Sequence, residues 1–212
     1  MNYHNYISKR LQPMLEGVLR DFTSQASDMY KEAHEHTKSK YNTIIGKSAE
    51  SYDRHWLANE RLYELALNYD DAKPEIKFNG KNSYYTRIEQ ENVVITISQV
   101  KTADTLVRGA KFRNNLASLY GQNLSLFEPK PIFRLPNSTD KLYIVVLHGA
   151  ISSKENNLGF VNVAIPDDNL ENYSYNRCLF ELCGLKHPFK LNESNVERIQ
   201  RTETVKLKSK LE

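Results

Sequence analysis

The hydrophobic repeat of this chain changes period near Glu75, and that change limits the fold more than any other feature. Before it, apolar residues recur every three or four positions. Ile7, Leu11, Met14, Leu15, Val18, Phe22, Ala26 and Met29 trace one face of a helix. Pro13 lies inside that pattern, where it either kinks the helix or marks its first turn, with the start after Lys9. A second helix follows Ser48. Ala49, Tyr52, Trp56, Tyr63, Ala66 and Tyr69 lie near one of its faces, and "NYDDAKP" stops it. The polar stretch "HEHTKSKYNTIIGKS" joins the two.

Beyond Glu75 the period is two. "NSYYTRIEQ" and "NVVITISQVK" predict a β-hairpin that turns at Glu91-Asn92. In that register Gln90 pairs with Val93, Ile88 with Ile95, Thr86 with Ile97, Tyr84 with Gln99 and Asn82 with Lys101. The face of Val93, Ile95 and Ile97 is then buried, together with most of Leu142 to Leu147. "TADTLVRGAKFRNNLASLYGQ" predicts a helix capped by Thr102 or Asp104 and stopped by Gly121. A proline-rich loop, a buried strand in "KLYIVVLHGA", a strand in "LGFVNVAIPDD" and a short helix in "NRCLFELCGL" follow. The order is strand–strand–helix–strand–strand–helix. It predicts an α/β or α+β fold in one domain, 1–212: a helical N-terminal part (1–72) packed on a mixed-sheet core (75–191), then a charged tail (192–212).

Composition narrows the function classes. A chain of 212 residues can bury a core without staples. Its net charge is only +3, so any nucleic-acid surface must be a local patch. "MNYHNYISKRLQP" lacks the charged head and apolar run of a signal peptide, and "LYIVVL" is too short to span a bilayer. A cytoplasmic protein without membrane partners is expected. Cys178 and Cys183, among apolar neighbours in "CLFELC", read as reduced core thiols. Abundant Asn, Lys and Tyr suggest an AT-rich bacterial or mobile-element genome, and with it a defence, counter-defence or mobile-element setting.

The chemistry-bearing candidate is Gln99-Val100-Lys101. Residues two apart on a strand share a face, so Gln99 and Lys101 end the apolar face of Val93, Ile95 and Ile97. From Asn82 to Ala150, the order of hairpin, Gln-x-Lys at a strand end, helix and buried strand resembles the restriction-endonuclease-like, or PD-(D/E)xK, nucleases. The resemblance implies an acid on the preceding strand that holds Mg2+ or Mn2+, with Gln99 and Lys101 facing the scissile phosphate. In the predicted register the acid's place is held by Tyr84 or Asn82, and neither supplies the anionic oxygen a hard metal needs. Displaced acids, Glu89 through a bulge or Glu75 from upstream, would have to replace it. Without one, Lys101 is a strand-end lysine whose stem lies on the core and whose ammonium reaches water.

Other features divide between binding and plain structure. Lys101, Arg108, Lys111 and Arg113 form a small basic patch that can contact phosphates, or a solvated helix face. "HEH" (His34, Glu35, His36) lacks the four-residue histidine spacing of zinc helices, and no site for a resident metal or cofactor is expected. His55 and His148 read as core or boundary histidines, and Asp167 and Asp168 as a strand stop. The tyrosine clusters Tyr84, Tyr85, Arg87 and Tyr173, Tyr175, Arg177 have the composition of protein contact surfaces. The leading expectation is a non-catalytic protein that binds a protein or nucleic-acid partner. The alternative is a metal-dependent nuclease using Gln99 and Lys101.

Overall fold

The two periods become helices and a sheet. In a computed structural model, which describes residues 3–40, 43, 49–79, 83–120, 141–151 and 157–188, helices α1 (Tyr3–Glu16), α2 (Val18–Lys40) and α3 (Glu50–Ala66) precede the sheet. Pro13 lies within α1, and the chain breaks at Gly17 before restarting as α2. Pro13 cannot donate its backbone bond, which weakens the helix at that point. The apolar stripe read from the sequence is fully buried at Ile7, Leu11, Met14 and Phe22.

A six-stranded mixed sheet follows in the spatial order β1-β2-β3-β4-β5-β6, giving an α/β fold with the N-terminal helices on the sheet. Its strands are β1 (Ala72–Phe78), β2 (Tyr84–Gln90), β3 (Val93–Gln99), β4 (Leu142–Ala150), β5 (Leu158–Pro166) and β6 (Tyr173–Cys178). All neighbours are antiparallel except β3 and β4. That parallel pair needs a long crossover, which carries α4 (Lys111–Tyr120). The short helix α5 (Leu179–Leu182) follows β6.

Alternation along β3 and β4 sorts two cores. Ile95, Ile97, Ile144 and Val146 meet the helices α1, α2 and α3, while Val94, Val145 and Leu147 meet α4 on the other face. The central strands therefore read as continuous apolar runs, as strands covered on both faces do. Among the described residues, no helix is long and apolar enough to cross a membrane.

Three elements differ from the sequence reading. β1 was not marked by alternation, because it is an edge strand carrying Lys73, Pro74, Glu75 and Lys77, residues that suit an unpaired edge. "NYSYNR" is strand β6 and only its continuation is helical. The helix expected after Thr102 or Asp104 begins at Lys111. The reason is Tyr173, whose hydroxyl donates to the Thr105 carbonyl (3.1 Å) and accepts from the Val107 N–H (3.0 Å), holding that stretch out of helix. Gly121, the proline-rich loop and the charged tail lie outside the described residues.

Ile95 is fully buried at the centre of this packing. Ile95→Ala is expected to lower unfolding stability by about 2–5 kcal/mol, measured by urea titration; an unchanged midpoint would show that β3 is not central.

Candidate functional site

The hairpin turn at Glu91-Asn92 sets the register, and the register creates the site. Glu91 takes a positive φ of 49°, and Gln90 faces Val93 across the two-residue turn. Ile88 faces Ile95, as the sequence predicts, and the ladder extends to Arg87 and Thr96. There β2 and β3 part. β2 continues with β1 alone to Tyr84, and β3 with β4 alone to Gln99.

The next pair, Thr86 and Ile97, would exchange ladder bonds if the hairpin continued. Instead, the Thr86 N–H donates to Asn59 Oδ1 (2.8 Å) and its hydroxyl to the Asn59 carbonyl (2.7 Å). The Ile97 carbonyl accepts from Arg113 Nη2 at 3.4 Å. One side chain from α3 and one from α4 thus fill the parted ladder from opposite faces. The expected pairing of Tyr84 with Gln99 does not form, and Asn82 lies outside the described residues.

Polar groups gather at this end of β3 and β4. Gln99 is half-buried and stands beside His148 in the parallel register. The next residue of β4, Gly149, has no room for a side chain: a Cβ there would lie 2.5 Å from the Val100 carbonyl oxygen. His148 is fully buried, and its Nδ1 lies 2.9 Å from the Tyr30 hydroxyl. Burial drives its pKa down to about 3, with the charges of His55 and Arg54 adding to the effect. His55 falls to about 4, first through burial and then through Arg113. Arg54 lies over the Tyr30 ring, 5.3 Å from its centroid.

The acids lie elsewhere. Glu89 shares the face of Val94, opposite to that of Gln99, and pairs with Arg87 and with Lys141 (2.6 Å). The Lys141 hydrogen bond, with the nearby Arg87, holds its pKa below the usual carboxylate range. Glu75 lies on edge strand β1 and pairs with Lys77 at 3.0 Å. On α3, Glu50 contacts His34 (3.3 Å), and Asp53 contacts His36 (3.1 Å) and Thr37 (2.7 Å). Among the described residues, no group of three or more His, Cys, Asp and Glu is placed to hold a metal ion.

The basic patch also divides. Lys101, Arg108 and Lys111 are exposed, whereas Arg113 is buried, with Nη1 bound to the Arg108 carbonyl (3.2 Å) and its guanidinium beside the Phe112 ring. Tyr85 stacks on Phe112 with centroids 3.6 Å apart, so Tyr85, like Tyr173 and the buried Tyr175, is used inside the fold. Asp167 accepts the Glu171 N–H (2.8 Å) in a turn after β5, and both cysteines are free thiols.

An aromatic groove opens on the helix side of the same end. The sheet face that carries Ile88 and Thr86 under α3 continues to Ile76, Phe78 and Tyr84, which are exposed beyond the described helices. Trp56 and Tyr84 are 57% and 62% exposed across a groove of about 480 Å³, which Glu60, Tyr63 and Glu64 also line. The sequence placed Tyr52, Trp56 and Tyr63 on one helical face; that face points outward at Tyr52 and Trp56. α3 buries Ala58, Asn59, Leu62 and Leu65 instead, together with Ala66 of the expected face. Arg54 and Asn59 were missed for this reason: the aromatic stripe carries the larger apolar signal, while the buried stripe is small and partly polar.

Comparison with protein-family models, curated proteins and solved structures finds no match to this chain, so the functional reading rests on geometry and chemistry.

The depressed histidines make stability pH-dependent. A histidine whose pKa is lower folded than unfolded favours folding fully above its unfolded value and loses that contribution as pH falls toward the folded value. The window for His148 runs from the unfolded value, about 6.5, down to about 3. The melting temperature should fall across the upper part of that window, and His148→Gln should flatten the fall. An identical pH profile in the variant would show that His148 does not titrate with unfolding.

Proposed function

We propose that this chain is a non-catalytic binding protein, and that its groove between α3 and the β1–β2 face takes a basic segment of a protein partner. The observation that carries this reading is the uncovered aromatic surface. Trp56, Ile76 and Tyr84, which line the groove, and Phe78 against the Tyr84 ring are all more than half exposed. Monomeric proteins rarely leave such residues contiguous without a use, and Trp and Tyr dominate binding energy where they are found at interfaces. Glu60 and Glu64, one helical turn apart and exposed, line the same groove. Their charge, beside the faces of Trp56 and Tyr84, suits a Lys or Arg side chain that can use both ion pairing and a cation–π contact.

The nuclease reading keeps one observation in its favour: Gln99 ends β3 beside the parallel strand β4, in the order that the resemblance implies. Against it stand the committed positions of Glu89 and Glu75, each in an ion pair away from Gln99. Exposed Lys101, Arg108 and Lys111 supply phosphate affinity without chemistry, so weak nucleic-acid binding that fades steeply with salt fits a non-catalytic chain.

Trp56 is the only tryptophan, so its fluorescence reports the groove directly. Lys- and Arg-containing peptides should perturb Trp56 emission saturably, and acidic peptides of equal length should not. Trp56→Ala and Tyr84→Ala, followed by anisotropy of a labelled peptide, should each weaken binding at least about tenfold with the melting temperature unchanged. Equal affinity in wild type and both variants would sink the groove assignment. A second assay decides catalysis: no cleavage of DNA or RNA is expected with Mg2+ or Mn2+. Metal-dependent cleavage that disappears in Lys101→Ala would establish the nuclease instead.

A further inference from the structure

The polar cluster between α2, α3 and the carboxyl end of β4 holds positive charge that its own residues do not offset. Arg54 is 9% exposed. Its Nε reaches the Glu50 carbonyl only at 3.4 Å, its guanidinium lies over the Tyr30 ring, and its Nη1 is buried without a hydrogen-bond partner among the described residues. An arginine keeps its proton in a protein, so burial cannot be relieved by neutralisation. Buried arginines are ordinarily paired for that reason. The Glu50 carboxylate, one turn away on α3, instead contacts His34, and Asp53 is held by His36 and Thr37.

His148 adds a second unmet group to the same place. It is fully buried, and its Nε2 has no hydrogen-bond partner among the described residues. Burial keeps the Tyr30 phenol protonated, and among the described residues its proton has no acceptor other than Nδ1; donating it there puts the ring proton on Nε2, and Nε2 and Arg54 Nη1 are then both unsatisfied donors. They come from different elements, a helix and a strand. Tyr30 touches both side chains and ties them into one cluster. His55 and Gln99 adjoin it, one through its effect on His148 and the other as the neighbour of His148 in the sheet. Both are half-buried. Exposed Lys101 stands two residues beyond Gln99.

We propose that this cluster is an anion site for a phosphate group, with Arg54 Nη1 and His148 Nε2 as the donors that receive it. A phosphate satisfies both donors and supplies the charge that Arg54 lacks. Its tetrahedral oxygens also suit donors that arrive from separate elements better than a planar carboxylate does. The site is distinct from the aromatic groove and does not depend on what the groove binds.

The test uses the whole chain and inorganic phosphate at millimolar concentration, against chloride at matched ionic strength. Phosphate is expected to raise the melting temperature of the wild type saturably, because it binds only the folded chain. Arg54→Met should melt at or above the wild type in chloride, since it removes an uncompensated buried charge, and it should show no response to phosphate. Lys31→Met, at an exposed surface cation, should respond as the wild type does. If Arg54→Met fails to fold, the imidazole nitrogen resonances of wild-type His148 decide: saturable movement with phosphate supports the site. A wild-type melting temperature and His148 resonances that are the same in phosphate and chloride overturn it, as does an equal phosphate response in Arg54→Met. Two further arms identify the source. A 5′-phosphorylated oligonucleotide that binds more tightly than its 5′-hydroxyl twin points to a nucleic-acid end. Competition by inorganic phosphate with no difference between the twins points to a small phosphorylated ligand.

Discussion

The site depends on where the ladder between β2 and β3 ends. A peptide group that loses its strand partner inside a protein must find another or carry a desolvation cost of about 1–3 kcal/mol. Here the lost pair is Thr86 and Ile97, and the replacements are the Asn59 carboxamide and the Arg113 guanidinium. Each replacement fixes a helix against the sheet. Asn59 sets the depth of α3 on one face, and Arg113 sets α4 on the other. Asn59 also donates to the His55 carbonyl one turn earlier (2.8 Å), so the bond to Thr86 holds a side chain already anchored on its own helix.

The two sides of the gap differ. Towards β4, Gln99 lies beside His148, next to Tyr30 of α2, so the helix-side face that is apolar along Ile95 and Ile97 ends in hydrogen-bonding groups. Towards β1, the end of the hairpin carries the exposed Ile76, Phe78 and Tyr84. The polar cluster and the aromatic groove thus lie on the two sides of the parted ladder. An edge hairpin with an exposed apolar face risks sheet-to-sheet aggregation. β1 limits that risk with Pro74, which has no N–H to offer, and with Lys73 and Lys77 on the edge.

Much of the sheet was legible in the sequence because its signals are local. The two-residue turn, the alternation of Ile88 with Glu89 and the apolar runs of β3 and β4 fix register, facing and burial without knowledge of the rest. The turning of Glu89 away from Gln99 follows from the same alternation. The parting of the strands was not legible, because it is decided by Asn59 and Arg113, which are distant in sequence and unremarkable in type. The outward face of α3 was misleading for a related reason. Periodicity identifies faces but not which one the tertiary structure covers, and the more apolar face is the one that remains at the surface at Tyr52 and Trp56. Likewise, Arg113 reads as one more cation of a basic helix, yet it ends among Tyr85, Tyr143 and Tyr173, whose phenols offset part of the effect of its burial.

Two arginines are internal at this end of the sheet, and among the described residues neither is ion-paired to a carboxylate. Arg113 meets two backbone carbonyls and an aromatic ring, so its charge is spread over dipoles already fixed by the fold. Arg54 has the Tyr30 ring and one long carbonyl contact, and beside it stands a histidine kept neutral by burial. The two arginines are thus solvated unequally by the protein. Arg113 completes a structural gap, and replacing it would leave the Ile97 carbonyl without that donor. Each carries a buried nitrogen without a hydrogen-bond partner among the described residues, Nε in Arg113 and Nη1 in Arg54, but Arg54 closes no gap in the ladder to set against that cost. A folded chain can carry that cost only if the surrounding core is strong enough. The continuous apolar packing of α1 and α2 on β3, β4 and β5 supplies that strength next to the place where polar groups are least satisfied.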